Sequence, residues 1–507
     1  MSYKIKDILC PALFFLLTIF TRIPFTSKYL YHMDSVQFAL ALEKYDITVH
    51  QPHPPGYFLY VMLGRLLNLF IKDANNTFIF ISILFSGLAV VTIYYLGKEI
   101  FDKNTGIYAA LIALTSPNLW FHGEVALTYV IEAFFSTFVA LLCWRILKGE
   151  HKYLWLSVIA LGLAGGIRQN TVDFLFPLWL FSVKGVPLRK TILSLGLLGI
   201  VCLLWFIPMV WMTGGWNAYE SAFRELWLFN TKKISVFEKG WTSLQIFSRV
   251  LFSFVTYSIG AGILILCLTG YSLIRHKHFK TLNKEKIIYF FSWIMPAVLF
   301  FLLIFIHPTN PGYVLIFLPA LCILTASSVK YISDDLRLFL QKDISKLLVG
   351  TVIIINTTFF FLYSNISYKE ISRHDRDLPV MLSNIKSFDP SDTAIVVGPY
   401  TYCGYRHIMY YLPEYRVYQT DIRTADTGET RKTFWGVQRR TFLTDEIIVP
   451  QSMDRFLMIL ITEDPNMAKA KKLFTVKNFF PTDIYYASGS ILLIKNLYPT
   501  LKVRHEA

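Results

Sequence analysis

Long apolar runs alternate with short polar connections along the first two thirds of this 507-residue chain. They predict helices at about 8–25, 77–97, 105–121, 127–147, 153–167, 171–184, 191–213, 246–274, 287–306, 312–329 and 347–364. The first run, Ile8 to Phe25, is too long for a signal-peptide core and lacks a small-residue cleavage site, so it reads as a retained span. A further run, Tyr57–Ile71, reads as a helix lying at the membrane interface with Arg65 toward the headgroups. Counting it as a span would reverse the charge pattern of every later connection.

After Ser364 the pattern changes. Short alternating runs, Thr393–Val397, Phe456–Ile461 and Ser490–Ile494, read as strands, and Tyr402–Tyr411 and Asn466–Lys472 read as helices. The expectation is a mostly α, polytopic membrane protein over 1–365, with about 11 transmembrane helices plus interfacial ones. A small α/β domain over 366–507 follows.

Charge sets the orientation. Connections expected inside carry Lys4 and Lys6; Lys98 and Lys103; Arg145, Lys148 and Lys152; Lys184, Arg189 and Lys190. Later ones carry Arg275, Lys277, Lys280, Lys284 and Lys286, then Lys330, Arg337, Lys342 and Lys346. The opposite connections His122–Thr128 and His307–Pro311 carry no Lys or Arg. This positive-inside pattern puts the N-terminus in the cytoplasm of a multi-pass cell-membrane protein and the C-terminal domain outside.

Composition agrees: 54% of residues are hydrophobic and only 16% charged, against about 25% charged in soluble domains. The net charge of +15 sits in those inner connections and does not mark a nucleic-acid partner. Six scattered cysteines (10, 143, 202, 267, 322 and 403) contain no CxxC and imply neither a disulfide framework nor a zinc site. No P-loop, GxGxxG or Gly-x-Ser-x-Gly motif stands out, which removes support for cytosolic nucleotide chemistry.

Candidate chemistry gathers in the first outer loop, 27–77. There Asp34 stands in Met33-Asp34-Ser35, followed by His50-Gln51-Pro52-His53-Pro54-Pro55-Gly56-Tyr57. The two prolines fix φ, and Gly56 permits a tight turn into the interfacial helix. Asp34 also has the chemistry of an N-cap for a helix over 35–42.

A first span, an outer Asp34 and then His53-Pro54-Pro55-Gly56-Tyr57 together resemble the GT-C glycosyltransferases. The protein O-mannosyltransferase-like and aminoarabinose-transferase-like branches are the most similar. Arg65-Leu66-Leu67-Asn68, Tyr95-Leu96-Gly97-Lys98-Glu99, Gly106 and Ser116-Pro117 follow in a similar order. The resemblance implies an inverting hexosyl- or pentosyltransferase using a polyprenyl-phosphate-linked sugar, with Asp34 as general base toward an acceptor hydroxyl. A carboxylate in a partly desolvated boundary site is a competent base.

The resemblance also implies Glu124, in His122-Gly123-Glu124, as a second catalytic carboxylate that helps position the acceptor or a metal. Donor-phosphate ligands are expected at His53, Arg168, His307 and Tyr313. Arg168 closes an apolar helix with no evident acidic partner, and snorkelling to headgroups competes with phosphate binding there. Pro52 stands where relatives place an acidic residue implicated in metal binding, so no metal ligand is assigned and the cofactor stays open, a divalent cation included. His32 and His50 read as solvated. Aromatic and basic residues of the outer loop 214–245 (Trp216, Tyr219, Arg224, Trp227, Lys232, Lys233) read as an interfacial belt.

The partners expected are a polyprenyl-phosphate sugar, membrane lipids, and a glycan, lipid or protein acceptor. The competing reading is a transporter or flippase of a lipid-linked sugar in cell-envelope synthesis. It is disfavoured because the ionisable groups read as gathering in outer loops, with no repeat between halves. A purely structural role in envelope assembly is the third reading.

Overall fold

The computed structural model describes residues 2–275, 283–363, 366–397, 404–419, 441–442, 446–453, 455–461, 471–476, 482–488 and 502–505. Lys277, Lys280, Cys403 and the expected strand Ser490–Ile494 lie outside the described residues, as do the side chains of Lys4, Lys6 and Lys233. The chain divides into two compact units. One comprises Met1–Thr26, Tyr57–Trp216 and Leu226–Lys369; the other comprises Ser27–Gly56, Asn217–Glu225 and Glu370–Ala507.

In chain order the first helices are α1 Ser2–Arg22, α2 Met33–Glu43, α3 Phe58–Ile71, α4 Ala74–Ile100, α5 Lys103–Thr115, α6 Pro117–His122 and α7 Tyr129–Leu147. Then come α8 Leu154–Ile167, α9 Asn170–Ser182, α10 Leu188–Met212, α11 Trp216–Lys233, α12 Val236–Lys239, α13 Trp241–Ile259 and α14 Gly262–Arg275. The last are α15 Lys284–Leu303, α16 Leu318–Leu340, α17 Ser345–Leu362, α18 Tyr368–Lys386 and α19 Tyr405–Tyr411.

The first unit is helical. Its starts follow capping chemistry: the carboxylates of Asp73 and Asp102 accept from Asn76 N at 2.7 Å and from Thr105 N at 2.9 Å, opening α4 and α5. Ser116-Pro117 then ends α5 and opens α6, so the segment expected at 105–121 is two helices. Among the described residues six helices are long and apolar enough to cross a membrane, and the pair α13–α14, bent by 105°, makes a seventh if taken as one span. Gly260 takes φ +50 at that bend. Segments α5, α8 and α9 have only 13, 14 and 13 residues, about 20 Å each and shorter than a bilayer core of about 30 Å.

Burial separates core from periphery. In α7, 72% of the apolar window is buried inside the protein, against 28% in α10, whose Leu188, Leu204 and Trp211 are exposed as a lipid-facing helix requires. α4 and α5 cross closely enough that a Cβ at Gly106 would lie 2.6 Å from the Tyr94 carbonyl oxygen. α3, an apolar helix of 14 residues, exposes Leu66, Leu69 and Phe70 while burying Tyr60 and Val61.

The second unit joins the segment 27–56 to the C-terminal region. Its main sheet runs β3-β2-β1-β5-β7-β6, from β1 Thr393–Val397, β2 Arg416–Gln419, β3 Thr441–Phe442, β5 Arg455–Ile461, β6 Lys471–Val476 and β7 Thr482–Ser488. A separate pair is formed by β4 Glu446–Val449 and β8 Lys502–His505. β1 pairs in parallel with β2 and β5, aligning Ile395 with Val417 and with Leu457. β7 and β6 add antiparallel. Leu378 and Ile385 of α18, Ile408 of α19, and the strand residues Ile395, Val417 and Leu457 form the core. Lys471 and Lys472, expected at the end of a helix, begin β6 instead.

Segment 27–56 is tied into this unit by polar contacts. Tyr411 Oη accepts from Leu30 N at 2.9 Å, and the Asp375 carboxylate accepts from Ser27 Oγ and Lys28 N at 3.0 Å. Arg406 donates to the Val49 carbonyl at 2.7 Å, and His407 Nε2 donates to the Leu30 carbonyl at 3.0 Å.

Burial holds His374 down to about 3 and His407 to about 4, so both are neutral in the folded unit. Each protonates near 6.5 once unfolded. Their contribution is therefore complete above that value and is lost as pH falls below it, at up to about 1.4 kcal/mol per pH unit for each histidine. Hydrogen exchange in peptides covering β1 and β5, corrected for intrinsic rates, should show clearly weaker protection at pH 5 than at pH 8. Equal protection at the two values would contradict this.

Candidate functional site

In the second unit the sequence builds a carboxylate between two imidazoles. α2 begins after His32, whose extended backbone makes it the N-cap; Asp34 therefore lies in the first turn and is not the cap the sequence suggested. Val36, Phe38, Ala39 and Ala41 are buried. Asp34 keeps 20% of its side chain exposed. Its two oxygens lie 3.4 Å from His32 Nδ1 and 3.6 Å from His53 Nδ1.

His53 is oriented from α2 as well. Its Nδ1–H donates to Gln37 Oε1 at 2.7 Å. The turn that delivers it has cis bonds at Gln51-Pro52 and Pro54-Pro55, and Gly56 takes φ +122, a conformation open to glycine. The Gly56 carbonyl accepts from Tyr45 Oη at 2.7 Å. The first-loop residues singled out by sequence, Asp34 and His53, are thus brought together. His32 joins them, whereas His50 is buried and not solvated.

In the first unit Arg168 is buried and paired, correcting the expectation that it lacks an acidic partner. Its Nε lies 3.0 Å from Glu132 Oε2, with the side chains 6% and 2% exposed. Thr128 Oγ1 accepts from Arg168 at 3.2 Å, and Thr171 Oγ1 donates to Glu132 at 3.0 Å. Three tyrosine rings surround the guanidinium: Tyr129 at 4.4 Å, and Tyr57 and Tyr313 each at 5.7 Å. Arg168 and Tyr313 therefore meet. His307 is exposed, with Thr309 Oγ1 at 3.0 Å from its Nδ1.

The turn that brings Tyr313 in is set by Asn310, which accepts from Gly312 N at 3.1 Å and donates to Tyr129 Oη at 2.8 Å. Gly312 has no room for a side chain: a Cβ there would lie 2.4 Å from the Tyr129 ring and 2.7 Å from His122 Nε2.

Glu124, expected as a second catalytic carboxylate, has 0% exposure, so an acceptor has no route to it in this structure. Burial pushes its carboxyl well above the usual carboxylate range, and the Arg22 guanidinium pulls the other way. Arg22 ends α1, donates to the Leu114 carbonyl at the end of α5 at 2.7 Å, and lies 4.6 Å from the Trp120 ring. Among the described residues no three His, Cys, Asp or Glu side chains converge to hold a metal ion.

Residues 52–212 match the family Dolichyl-phosphate-mannose-protein mannosyltransferase. Among solved structures, ArnT from Cupriavidus metallidurans in the apo state is similar, with TM-score 0.56 and 10% identity over 96% of this chain and 98% of that one. The chain has a GT-C glycosyltransferase fold.

The same ArnT bound to undecaprenyl phosphate matches with TM-score 0.53 and 10% identity, again over 96% of this chain and 98% of that one. An oligosaccharyltransferase of Archaeoglobus fulgidus gives TM-score 0.46 and 12% identity over 81% of this chain and 64% of its own. No curated protein sequence matches.

Four side chains escaped the sequence reading: Gln37, which aims His53; His32, which caps α2; Glu132, which pairs with Arg168; and Arg22, which faces Glu124. For Glu132 and Arg22 a signal was present, since each is a lone charge in an apolar run. Such charges are rare in membrane helices unless they are paired. They also correct the reading that ionisable groups gather only in outer loops. The aromatic loop expected at 214–245 is largely helical, as α11 and α12, with Trp216 and Trp227 exposed and Tyr219 buried.

Proposed function

We propose that the protein is a membrane glycosyltransferase that moves a sugar from a polyprenyl-phosphate donor to an acceptor hydroxyl on the outer face of the membrane. One observation carries this reading: in a chain with a GT-C fold, Asp34 stands partly exposed at the start of α2, between two imidazoles. The undecaprenyl phosphate bound to the similar ArnT supports a polyprenyl-phosphate donor.

Asp34 takes the proton of the acceptor hydroxyl as that oxygen attacks the anomeric carbon. The bond from this carbon to the phosphate oxygen breaks, and the phosphate leaves with the bonding pair. Displacement from the opposite face inverts the anomeric centre. A phosphate leaving group needs charge stabilisation more than protonation. In this proposal His53, its ring oriented by Gln37, is the imidazole of its unit that stabilises the leaving phosphate. Arg168 has its charge matched by Glu132, so in this proposal it orders the tyrosines around it and is not the primary phosphate ligand. Glu124, buried after α6, acts on Arg22 electrostatically and has no catalytic part in this proposal. The basic connections on the other side of the spans support the outward orientation.

Mass spectrometry of envelope glycans, glycolipids and glycoproteins, with and without the protein, tests the reading. Loss of one sugar residue from one acceptor class is the expected result. An unchanged set of glycoconjugates, together with movement of a lipid-linked sugar across liposomes bearing the purified protein, would replace it with a flippase.

A further inference from the structure

The start of α2 asks one nitrogen to do two things. His32 Nδ1 lies 3.1 Å from Asp34 N, accepting the hydrogen bond that caps the helix. Ser35 Oγ completes the capping box by accepting from His32 N at 3.3 Å. The same Nδ1 lies 3.4 Å from Asp34 Oδ2. The peptide N–H needs a lone pair on that nitrogen, whereas the carboxylate needs a proton on it. An imidazole nitrogen supplies one or the other.

We infer that His32 is a positioning residue for Asp34, with two exclusive states. With Nδ1 unprotonated it caps α2 and makes no ion pair with the Asp34 carboxylate. With Nδ1 protonated it gives up the cap and ties that carboxylate in an ion pair. Going from the second state to the first releases one proton and exchanges the ion pair for the capping hydrogen bond, and no covalent bond other than that N–H changes. The inference rests on Asp34 being the base.

The groups around His32 are compatible with this switch. The Asp34 carboxylate favours a charged ring strongly enough to raise His32 above its ordinary value, although desolvation opposes it. His53 approaches the other Asp34 oxygen, but its Nδ1–H is held by Gln37. From α19, His407 stays neutral, partly because of His32 itself, and Arg406 is engaged with the Val49 carbonyl. From α18, His374 is neutral, while Glu370 and Arg373 pair at 2.8 Å.

The test uses full-length protein labelled with ¹⁵N-histidine in lipid nanodiscs, with ¹⁵N shifts recorded from pH 5 to 9 and His32→Asn supplying the assignment. The expected result is an unprotonated, accepting Nδ1 on His32 at pH 9 and a midpoint above 6.5. In Asp34→Asn that midpoint falls by about one unit or more. A protonated Nδ1 at pH 9, or a midpoint that Asp34→Asn does not move, overturns the inference.

A second readout is transfer from polyprenyl-phosphate sugars extracted from producing cells. The acid limb of its pH profile should move down by about one unit or more in His32→Asn, because asparagine caps a helix without titrating. An unmoved limb counts against the switch. Transfer that survives Asp34→Asn removes Asp34 as base whatever the histidine shifts show, so the two failures are distinct.

Discussion

Asparagine at position 34 should lower the rate of sugar transfer by about 10²–10⁴-fold, the range lost when a positioned general base is removed. The side chain keeps its size and loses only its capacity to take a proton. Folding should be spared, because the cap of α2 belongs to His32 and the apolar anchors of the helix are Val36, Phe38, Ala39 and Ala41. The measurement is the initial rate at saturating donor and pH 8, set beside the melting temperature of the same preparation. A rate within about tenfold of the parent would remove Asp34 from the chemistry, since general bases contribute more than that.

The second large effect concerns stability. Alanine at Arg168 or at Glu132 should each cost about 3–5 kcal/mol, because either change leaves its partner's charge buried and uncompensated. Replacing both with apolar residues of similar volume should cost less than either single change. The geometry favours strong coupling: Nε to Oε2 is 3.0 Å, and Thr128 and Thr171 complete hydrogen bonds on the two partners. Tyr129, with its ring 4.4 Å from the guanidinium, adds attraction that the Arg168 change alone removes. A double-mutant cycle by unfolding in detergent measures the coupling. Simple additivity would mean the two groups do not sense each other.

The sequence made Asp34 and His53 legible because both sit in a polar loop bounded by apolar runs, where hydropathy and turn residues leave little choice. The strands Thr393–Val397 and Phe456–Ile461 were legible for the same reason: short apolar runs rich in β-branched and aromatic residues. Span counting was harder. Ser116-Pro117 splits one run and Gly260 bends another, and an averaged hydropathy smooths over both.

What the sequence hid was pairing. Glu132 and Arg168 stand 36 positions apart in apolar surroundings, and only the packing of α7 against the end of α8 makes them partners. Glu124 looked available because it lies in a loop, yet its loop is folded inward against Arg22. His32 looked like one more solvated imidazole, since a histidine N-cap leaves no familiar mark in a sequence.

The hydrogen bonds that hold segment 27–56 have a bearing on how this protein is made. Ser27 and Leu30 are held by side chains 348 and 381 positions further along. A ribosome finishes the first loop long before it reaches Asp375, His407 or Tyr411. During that interval the nascent chain carries its carboxylate on an unsupported segment. On the proposed mechanism, the carboxylate therefore gains its folded surroundings only after the chain has been made through Tyr411.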